Sequence, residues 1–234
     1  MKYRIDKFLS DMGIGTRQEI KNLIKQKRVV INGKTVATAS EKADTEADEV
    51  MFDNTIIEYA EYEYYILNKP AGVITATTDK HEKTVLDLID CRRRDLFPVG
   101  RLDKDTEGLL IITNDGALSH NLLSPKKHVD KKYFVRVEGR LDAAVAEKFA
   151  GGLVVDEEFT ALPAILELLG DNEAYITISE GKFHQIKRMM EAVGCTVIYL
   201  KRISMGRLNL PEELMPGESR PLTPEELNLL KDNY

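Results

Sequence analysis

The chain has 234 residues, 43% of them hydrophobic and 31% charged, with a formal net charge of -6 and a pI near 5.4. That length supports one sizeable core, or a small domain beside a larger one. No apolar run approaches the roughly 20 residues that cross a bilayer, and the start, Met1-Lys2-Tyr3-Arg4-Ile5-Asp6, lacks the apolar segment of a signal peptide.

The expected location is therefore the cytoplasm, with no membrane contact. Cys91 and Cys195 stand in no C-x-x-C spacing, and His81, His120, His128 and His184 form no H-x-x-x-H pattern. The sequence thus predicts two reduced thiols and neither a metal site nor a cofactor.

Net charge alone disfavours a nucleic-acid partner, but its distribution reverses that inference. Residues 1–34 carry nine Lys/Arg against three Asp/Glu, a balance of +6, and residues 41–63 carry nine acids and one lysine, a balance of -8. The change of sign marks a domain boundary, with a basic domain first.

Ile5, Phe8, Leu9 and Met12 recur at helical spacing until Gly13 and Gly15 stop the helix. Thr16-Arg17-Gln18-Glu19 has the capping-box pattern of a second helix, with Ile20, Leu23 and Ile24 on its apolar stripe. Its outer face shows Arg17, Lys21, Lys25 and Arg28. Val29-Val30-Ile31, Asn32-Gly33 and Lys34-Thr35-Val36 then read as strand, tight turn and strand. The acidic stretch 41–63 reads as the trailing part of this module and a linker, with room for short strands at Val50-Met51-Phe52 and Ile56-Ile57.

From Tyr64 the pattern becomes buried strand plus turn, through Asn68-Lys69-Pro70-Ala71-Gly72. Thr84–Ile89 predicts a short helix. The most polar loop follows, Gly100-Arg101-Leu102-Asp103-Lys104-Asp105-Thr106-Glu107-Gly108, handed at once to the apolar strand Leu109–Ile112 and the turn Asn114-Asp115-Gly116. A loop with an arginine and several acids fixed by a buried strand is a candidate for chemistry, although an Arg-x-Asp is commonly a surface ion pair.

A helix is expected through Leu118 and Leu122, a strand over Lys131–Val137 closed by Gly139, a helix over Ala143–Ala150, and a strand over Tyr175–Ile178. Glu180–Met190 turns from strand into a helix whose apolar face is Ile186, Met189, Met190 and Val193. Thr196–Leu200 is the last long strand, and Thr223-Pro224-Glu225-Glu226 caps a closing helix. Residues 180–207 carry six Lys/Arg against two Glu, which predicts a second basic surface. Strands and helices without regular βαβ alternation predict an α+β fold with a mixed, largely antiparallel sheet.

Two basic helices followed by a small hairpin resemble the alpha-L (α-α-β) RNA-binding domain. Leu67-Asn68-Lys69-Pro70-Ala71-Gly72, the loop 100–108 with Leu109-Leu110, Lys132-Tyr133, and Glu180-Gly181-Lys182-Phe183-His184-Gln185-Ile186-Lys187-Arg188-Met189, occurring in that order, resemble the RsuA family of ribosomal RNA pseudouridine synthases. The resemblance spans nearly the whole chain. It implies an alpha-L domain and linker over residues 1–60 and a catalytic domain over 61–234.

By the same resemblance, Asp103 is the catalytic aspartate that attacks the target uridine, either adding to the sugar or assisting departure of the base. Lys187 is its positive partner, and Tyr133 stacks on the flipped base. Arg101 holds RNA or displaces the target nucleotide, Lys69 contacts phosphate or orders its turn, and Lys132, His184 and Gln185 flank the substrate. Arg17, Lys21, Lys25 and Arg28 meet RNA backbone.

His184 with Lys187 resembles the small-subunit branch of the family more than the large-subunit branch. The implied reaction is isomerisation of one uridine in small-subunit ribosomal RNA, within an assembly intermediate, by a monomer. The competing readings are a large-subunit synthase and a non-catalytic RNA-binding assembly factor.

Overall fold

A computed structural model describes residues 1–91, 93–157 and 159–232. The chain divides into two units, Met1–Glu63 with Asp90–Leu96, and Tyr64–Ile89 with Phe97–Tyr234.

The first unit comprises β1 (Lys2–Arg4), α1 (Ile5–Asp11), α2 (Arg17–Lys25), β2 (Val29–Ile31), β3 (Lys34–Thr35), β4 (Lys42–Asp44), β5 (Val50–Phe52) and β6 (Thr55–Ile56). The capping box forms at α2: the Thr16 hydroxyl accepts from the Glu19 amide at 3.3 Å, and the Glu19 carboxylate accepts from the Thr16 amide at 2.6 Å. Asn32 and Gly33 both take positive φ, 48° and 75°, which a two-residue turn between right-twisted strands demands. Strand order is β3-β2-β5-β6, with β1 paired to β4.

Ile5, Phe8, Leu9, Ile20, Ile24 and Val29 fill the core between the helices and the strands. Burying each such side chain contributes about 1.5–3 kcal/mol. The acidic stretch is more than a linker, because it supplies β4, β5 and β6 and its carboxylates are used. Asp48 accepts from the Asn32 amide nitrogen at 2.8 Å and from the Asp44 backbone N–H at 2.8 Å.

The second unit comprises β7 (Tyr64–Lys69), β8 (Phe97–Pro98), β9 (Glu107–Thr113), α3 (Gly116–Leu123), β10 (Lys131–Glu138), α4 (Ala143–Ala150), β11 (Leu153–Val154), β12 (Thr160–Ala161), β13 (Ile165–Leu168), β14 (Glu173–Ile178), α5 (Gln185–Ala192), β15 (Thr196–Met205), β16 (Leu208–Asn209), β17 (Ser219–Pro221) and α6 (Pro224–Lys231). The expected helix over Thr84–Ile89 is a single 3-10 turn, Val85–Leu88.

One sheet runs β13-β14-β10-β15-β9-β7-β17, with β16 on β15 and β8 on β9. Its pairs are antiparallel except β15 with β9, which runs parallel through Lys201↔Glu107 and Arg202↔Gly108. Gly108 is needed at that junction. It has φ +100°, and a Cβ there would lie 2.1 Å from the Arg202 carbonyl oxygen. Leu109–Ile112 is buried throughout, so the polar loop before it is anchored to the middle of the sheet.

β15 continues five residues past the expected Leu200, and Arg202 turns inward. Its guanidinium Nε donates to the Leu109 carbonyl at 2.7 Å, and the residue is 2% exposed. Arg202 therefore does not belong to the basic surface predicted over residues 180–207, because a buried arginine bonded to backbone offers nothing to a partner.

Candidate active site

The loop before β9 is tied down from beneath. Lys69, at the end of β7, is 0% exposed and donates to the carbonyls of Pro70 (3.1 Å), Lys104 (3.2 Å) and Thr106 (2.8 Å). The Gly72 amide also donates to the Lys104 carbonyl at 2.7 Å, and Thr75 Oγ1 donates to the Leu102 carbonyl at 2.7 Å. Within the loop, Thr106 N–H bonds the Asp103 carbonyl at 3.1 Å, closing a turn that presents the Asp103 side chain. Burial pushes the Lys69 ammonium down to about 8, against the opposing pull of Asp105, Asp103 and Glu107.

The second half of the site comes from the start of α5. His184, the residue before the helix, is left-handed at φ 49°, and Gln185 is buried beneath it. The Gln185 side chain accepts from the Lys182 amide at 2.9 Å and donates to Glu180 Oε1 at 2.9 Å, which fixes the loop 180–184. His184 and Lys187 lie three residues apart and so share one face of the helix, while Ile186, Met189 and Met190 are buried in the core.

That face meets Asp103. Lys187 Nζ stands 3.3 Å from Asp103 Oδ2, and His184 Nε2 stands 3.5 Å from Asp103 Oδ1. Lys187 is also held by Asp105, at 2.7 and 2.9 Å to its two oxygens. Burial works to lower the Lys187 ammonium, but the hydrogen bond to Asp105 and the charges of both carboxylates outweigh it, so lysine sits above its ordinary value. Burial likewise works to raise the Asp105 carboxyl, and the Lys187 hydrogen bond and charge carry it below the usual range.

The cavity beside Asp103 has a volume of about 90 Å³. Tyr133, Leu102, Ile178, Ile186 and Leu200 give it apolar walls, while Arg101, Lys182, His184 and Lys187 line it with polar and charged groups. Tyr133 comes from β10 and is 7% exposed. A carboxylate that has a cation on one side and an aromatic ring in the same small cleft can act on a flat, uncharged ring system that fits against the wall. Among the described residues no cluster of His, Cys, Asp or Glu could hold a metal ion.

The structure thus brings together Asp103, Tyr133, Lys187, Arg101, His184 and Gln185. Of the other expected contacts, Lys132 is placed away from the cleft, Lys69 takes the second of its two expected roles, and Gln185 shapes its loop. Lys69 orders its turn, since an ammonium buried against three carbonyls has no donor left for phosphate. Lys132 points to the opposite face of β10 from Tyr133, where it pairs with Glu167 at 2.8 Å and lies over the Tyr175 ring. Gln185 is spent on the loop and reaches the cavity only as part of its lining.

In the first unit, Arg17, Lys21 and Lys25 are exposed, and among the described residues no carboxylate closes an ion pair on them. Arg28 lies beyond the end of α2, bonded through Nε to Asp53 at 2.8 Å and packed over the Phe52 ring.

Sequence reasoning passed over Asp105 as a Lys187 partner, and also Thr75, Ile178, Lys182 and Leu200. A signal existed only for Asp105, a second acid two residues from the first in the same turn. Glu107, left without a role by the sequence, accepts from Tyr199 Oη at 2.7 Å, and burial with this bond pushes the Tyr199 phenol up to about 12.

An α-α-β module ahead of a sheet that presents one carboxylate beside a base-sized cleft defines an RNA-modifying enzyme with its own RNA-binding domain. The chain belongs to the RNA pseudouridylate synthase family, whose profile matches residues 63–192, and the S4 domain profile matches residues 4–50. It stands in the RsuA group indicated by its motifs.

It is 44% identical over 235 residues to an uncharacterized RNA pseudouridine synthase, YtzG, of Bacillus subtilis, covering 98% of each chain. It is 40% identical to the ribosomal small subunit pseudouridine synthase A of Yersinia pestis, over 96% of each. A ribosomal large subunit pseudouridine synthase B of Bacillus subtilis is 37% identical, over 97% of this chain and 95% of that one. A crystal structure of a pseudouridylate synthase superposes with a TM-score of 0.69 at 37% identity, covering 97% of this chain and 99% of that chain.

Proposed function

We propose that the protein isomerises a uridine of small-subunit ribosomal RNA to pseudouridine, with Asp103 as the reacting carboxylate. The observation that carries this reading is the position of Asp103 in a Tyr133-walled cleft with Lys187 at 3.3 Å. The two groups are close enough to orient one another, which directs the Asp103 side chain into the cleft.

The bond from ribose carbon 1 to uracil N1 breaks. The base turns in the pocket, a new bond joins carbon 1 to carbon 5 of uracil, and the carbon-5 proton leaves. Asp103 acts at ribose carbon 1 by adding to it or by stabilising the positive charge left as the base departs. Tyr133 replaces the stacking that a flipped base gives up, a cost of a few kcal/mol, and its hydroxyl relays the carbon-5 proton, accepting it as its own proton passes to water, while N1 gains a proton from water. Arg101, exposed at the rim, meets the RNA strand.

Support for a small-subunit target comes from the pairing of His184 with Lys187 and from the small-subunit synthases among the relatives. We place the reaction in the cytoplasm, on an assembly intermediate in which the uridine is reachable, with a monomer as the acting unit. Among the described residues no helix is long and apolar enough to cross a membrane. The face of Arg17, Lys21 and Lys25 contacts phosphates, giving salt-dependent affinity with little sequence preference.

The test uses transcripts of small- and large-subunit ribosomal RNA labelled with tritium at uridine carbon 5, each presented both free and partly assembled with its ribosomal proteins. The expected result is release of about one equivalent of tritium from the small-subunit transcript alone, an expectation set by the one-site reaction. Release from the large-subunit transcript alone moves the target, and release from neither supports a binding-only assembly factor.

A further inference from the structure

Phe183 is the most exposed large apolar side chain among the described residues, at 74%. A single exposed ring needs no explanation by itself, but this one is held in place. Its ring stacks on that of His184 with centroids 3.7 Å apart and planes 20° from parallel. His184 in turn keeps a left-handed backbone, uncommon for a residue with a side chain. The Gln185 bonds to the Lys182 amide and to Glu180 rigidify the loop that carries both rings.

The stack is also directional. His184 Nε2 lies 3.5 Å from Asp103 Oδ1, so the inner ring touches the reacting carboxylate while the outer ring faces solvent. Lys182 and His184 line the cavity, and Lys182 is exposed beside Phe183. A flat apolar face rimmed by positive charge, continuous with the cleft, suits a ligand that carries a π-face on a negatively charged backbone. A nucleobase on a single RNA strand has that chemistry, whereas an apolar protein segment has no use for the cationic rim.

We propose that Phe183, backed by His184, is the stacking platform for the nucleobase next to the target uridine, which loses a stacking neighbour when the uridine is extruded. The proposal rests on the reading of the cleft as an RNA site. It makes Phe183 a positioning residue that sets affinity and the register of the strand without touching the reacting atoms.

The experiment substitutes the full chain as Phe183→Ala, Phe183→Leu, Phe183→Tyr and Phe183→Trp, and measures equilibrium binding and turnover with the small-subunit transcript. Phe183→Ala is expected to weaken binding about tenfold, the effect of losing one base–aromatic stack, and to raise KM by a similar factor with kcat nearly unchanged. Phe183→Tyr and Phe183→Trp should bind like the unsubstituted chain, and Phe183→Leu like the alanine variant. Binding to heparin, a polyanion without bases, should be the same for all.

Unchanged transcript binding in Phe183→Ala overturns the platform, as does full rescue by leucine or an equal loss toward heparin. The two readings fail separately. No tritium release by the unsubstituted chain from either transcript, with ring-dependent binding intact, rejects the proposed reaction and keeps the platform. Normal turnover with ring-independent binding does the reverse.

Discussion

The two regions rich in cations hold their charges in opposite ways. On α2, Arg17, Lys21 and Lys25 stand in solvent with no ion-pair partner among the described residues. In the cleft, Lys187 is shared between Asp103 and Asp105, and Lys69 is buried under the loop against three carbonyls. A solvated cation acts through long-range attraction that salt screens. A cation enclosed by protein groups acts through position, and salt reaches it little. The same residue type therefore supports affinity in one region and geometry in the other.

The largest effect is expected at Lys187. Lys187→Met leaves the Asp103 and Asp105 carboxylates without their shared cation, and kcat should fall on the order of a hundred- to a thousandfold, with RNA affinity nearly unchanged. Single-turnover tritium release measures this, and a loss of less than tenfold would return Lys187 to the class of solvated helix residues.

Lys69→Met comes next. It keeps the stem and removes the ammonium from the Thr106 and Pro70 carbonyls, while the Lys104 carbonyl keeps the Gly72 amide, so urea unfolding should show a loss of about 2 kcal/mol. Its pH dependence has a definite sign. The folded chain holds Lys69 down to about 8, whereas an unfolded lysine titrates near 10.4. Between those values the unfolded state binds the extra proton, so stability from this group rises with pH. The lead of the unsubstituted chain over Lys69→Met should widen from pH 8 to pH 10; a constant gap contradicts the buried-lysine reading.

The double variant Lys21→Ala, Lys25→Ala should weaken RNA binding severalfold and reduce the slope of log affinity against log salt by about 1.4, near 0.7 per lost contact. Its kcat at saturating RNA should match the unsubstituted chain. Arg28→Ala is the smallest effect: bonded to Asp53, Arg28 should change the salt slope less than either lysine does alone. A full-size change there would place Arg28 with the solvated set.

Local signals explain which parts of this picture the sequence carried. The Thr16–Glu19 capping box, the Asn32-Gly33 turn and the helix over Ala143–Ala150 each depend on neighbours within four residues, and all stand where the pattern put them. The order of the motifs carried the α+β fold and the family. The parallel contact of β9 with β15 joins residues nearly a hundred positions apart, and no periodicity reports it.

Burial of charge was equally hidden. Arg202 read as basic surface and Lys69 as a phosphate contact or a turn-ordering residue because the sequence gives a residue type, and only the packed sheet shows that both turn inward to carbonyls. Lys132 and Tyr133 read as one pair, yet alternation along β10 sends them to opposite faces. The Asp105 bond to Lys187 needed α5 folded against the loop. Nor does composition reveal that Asp90–Leu96 packs with the first unit, where buried Arg93 bonds Asp95 and the Ala60 carbonyl.

Central to all of this is Asp103 as the reacting group, with Lys187 serving it. The most direct measurement is tritium release from carbon-5-labelled small-subunit ribosomal RNA by Asp103→Asn, a change that keeps the side chain's size and removes its charge. RNA binding by the same variant, followed in parallel, shows whether the cleft still admits the strand. Binding within a few-fold of the unsubstituted chain and no detectable release are expected; release at an undiminished rate would remove Asp103 from the mechanism.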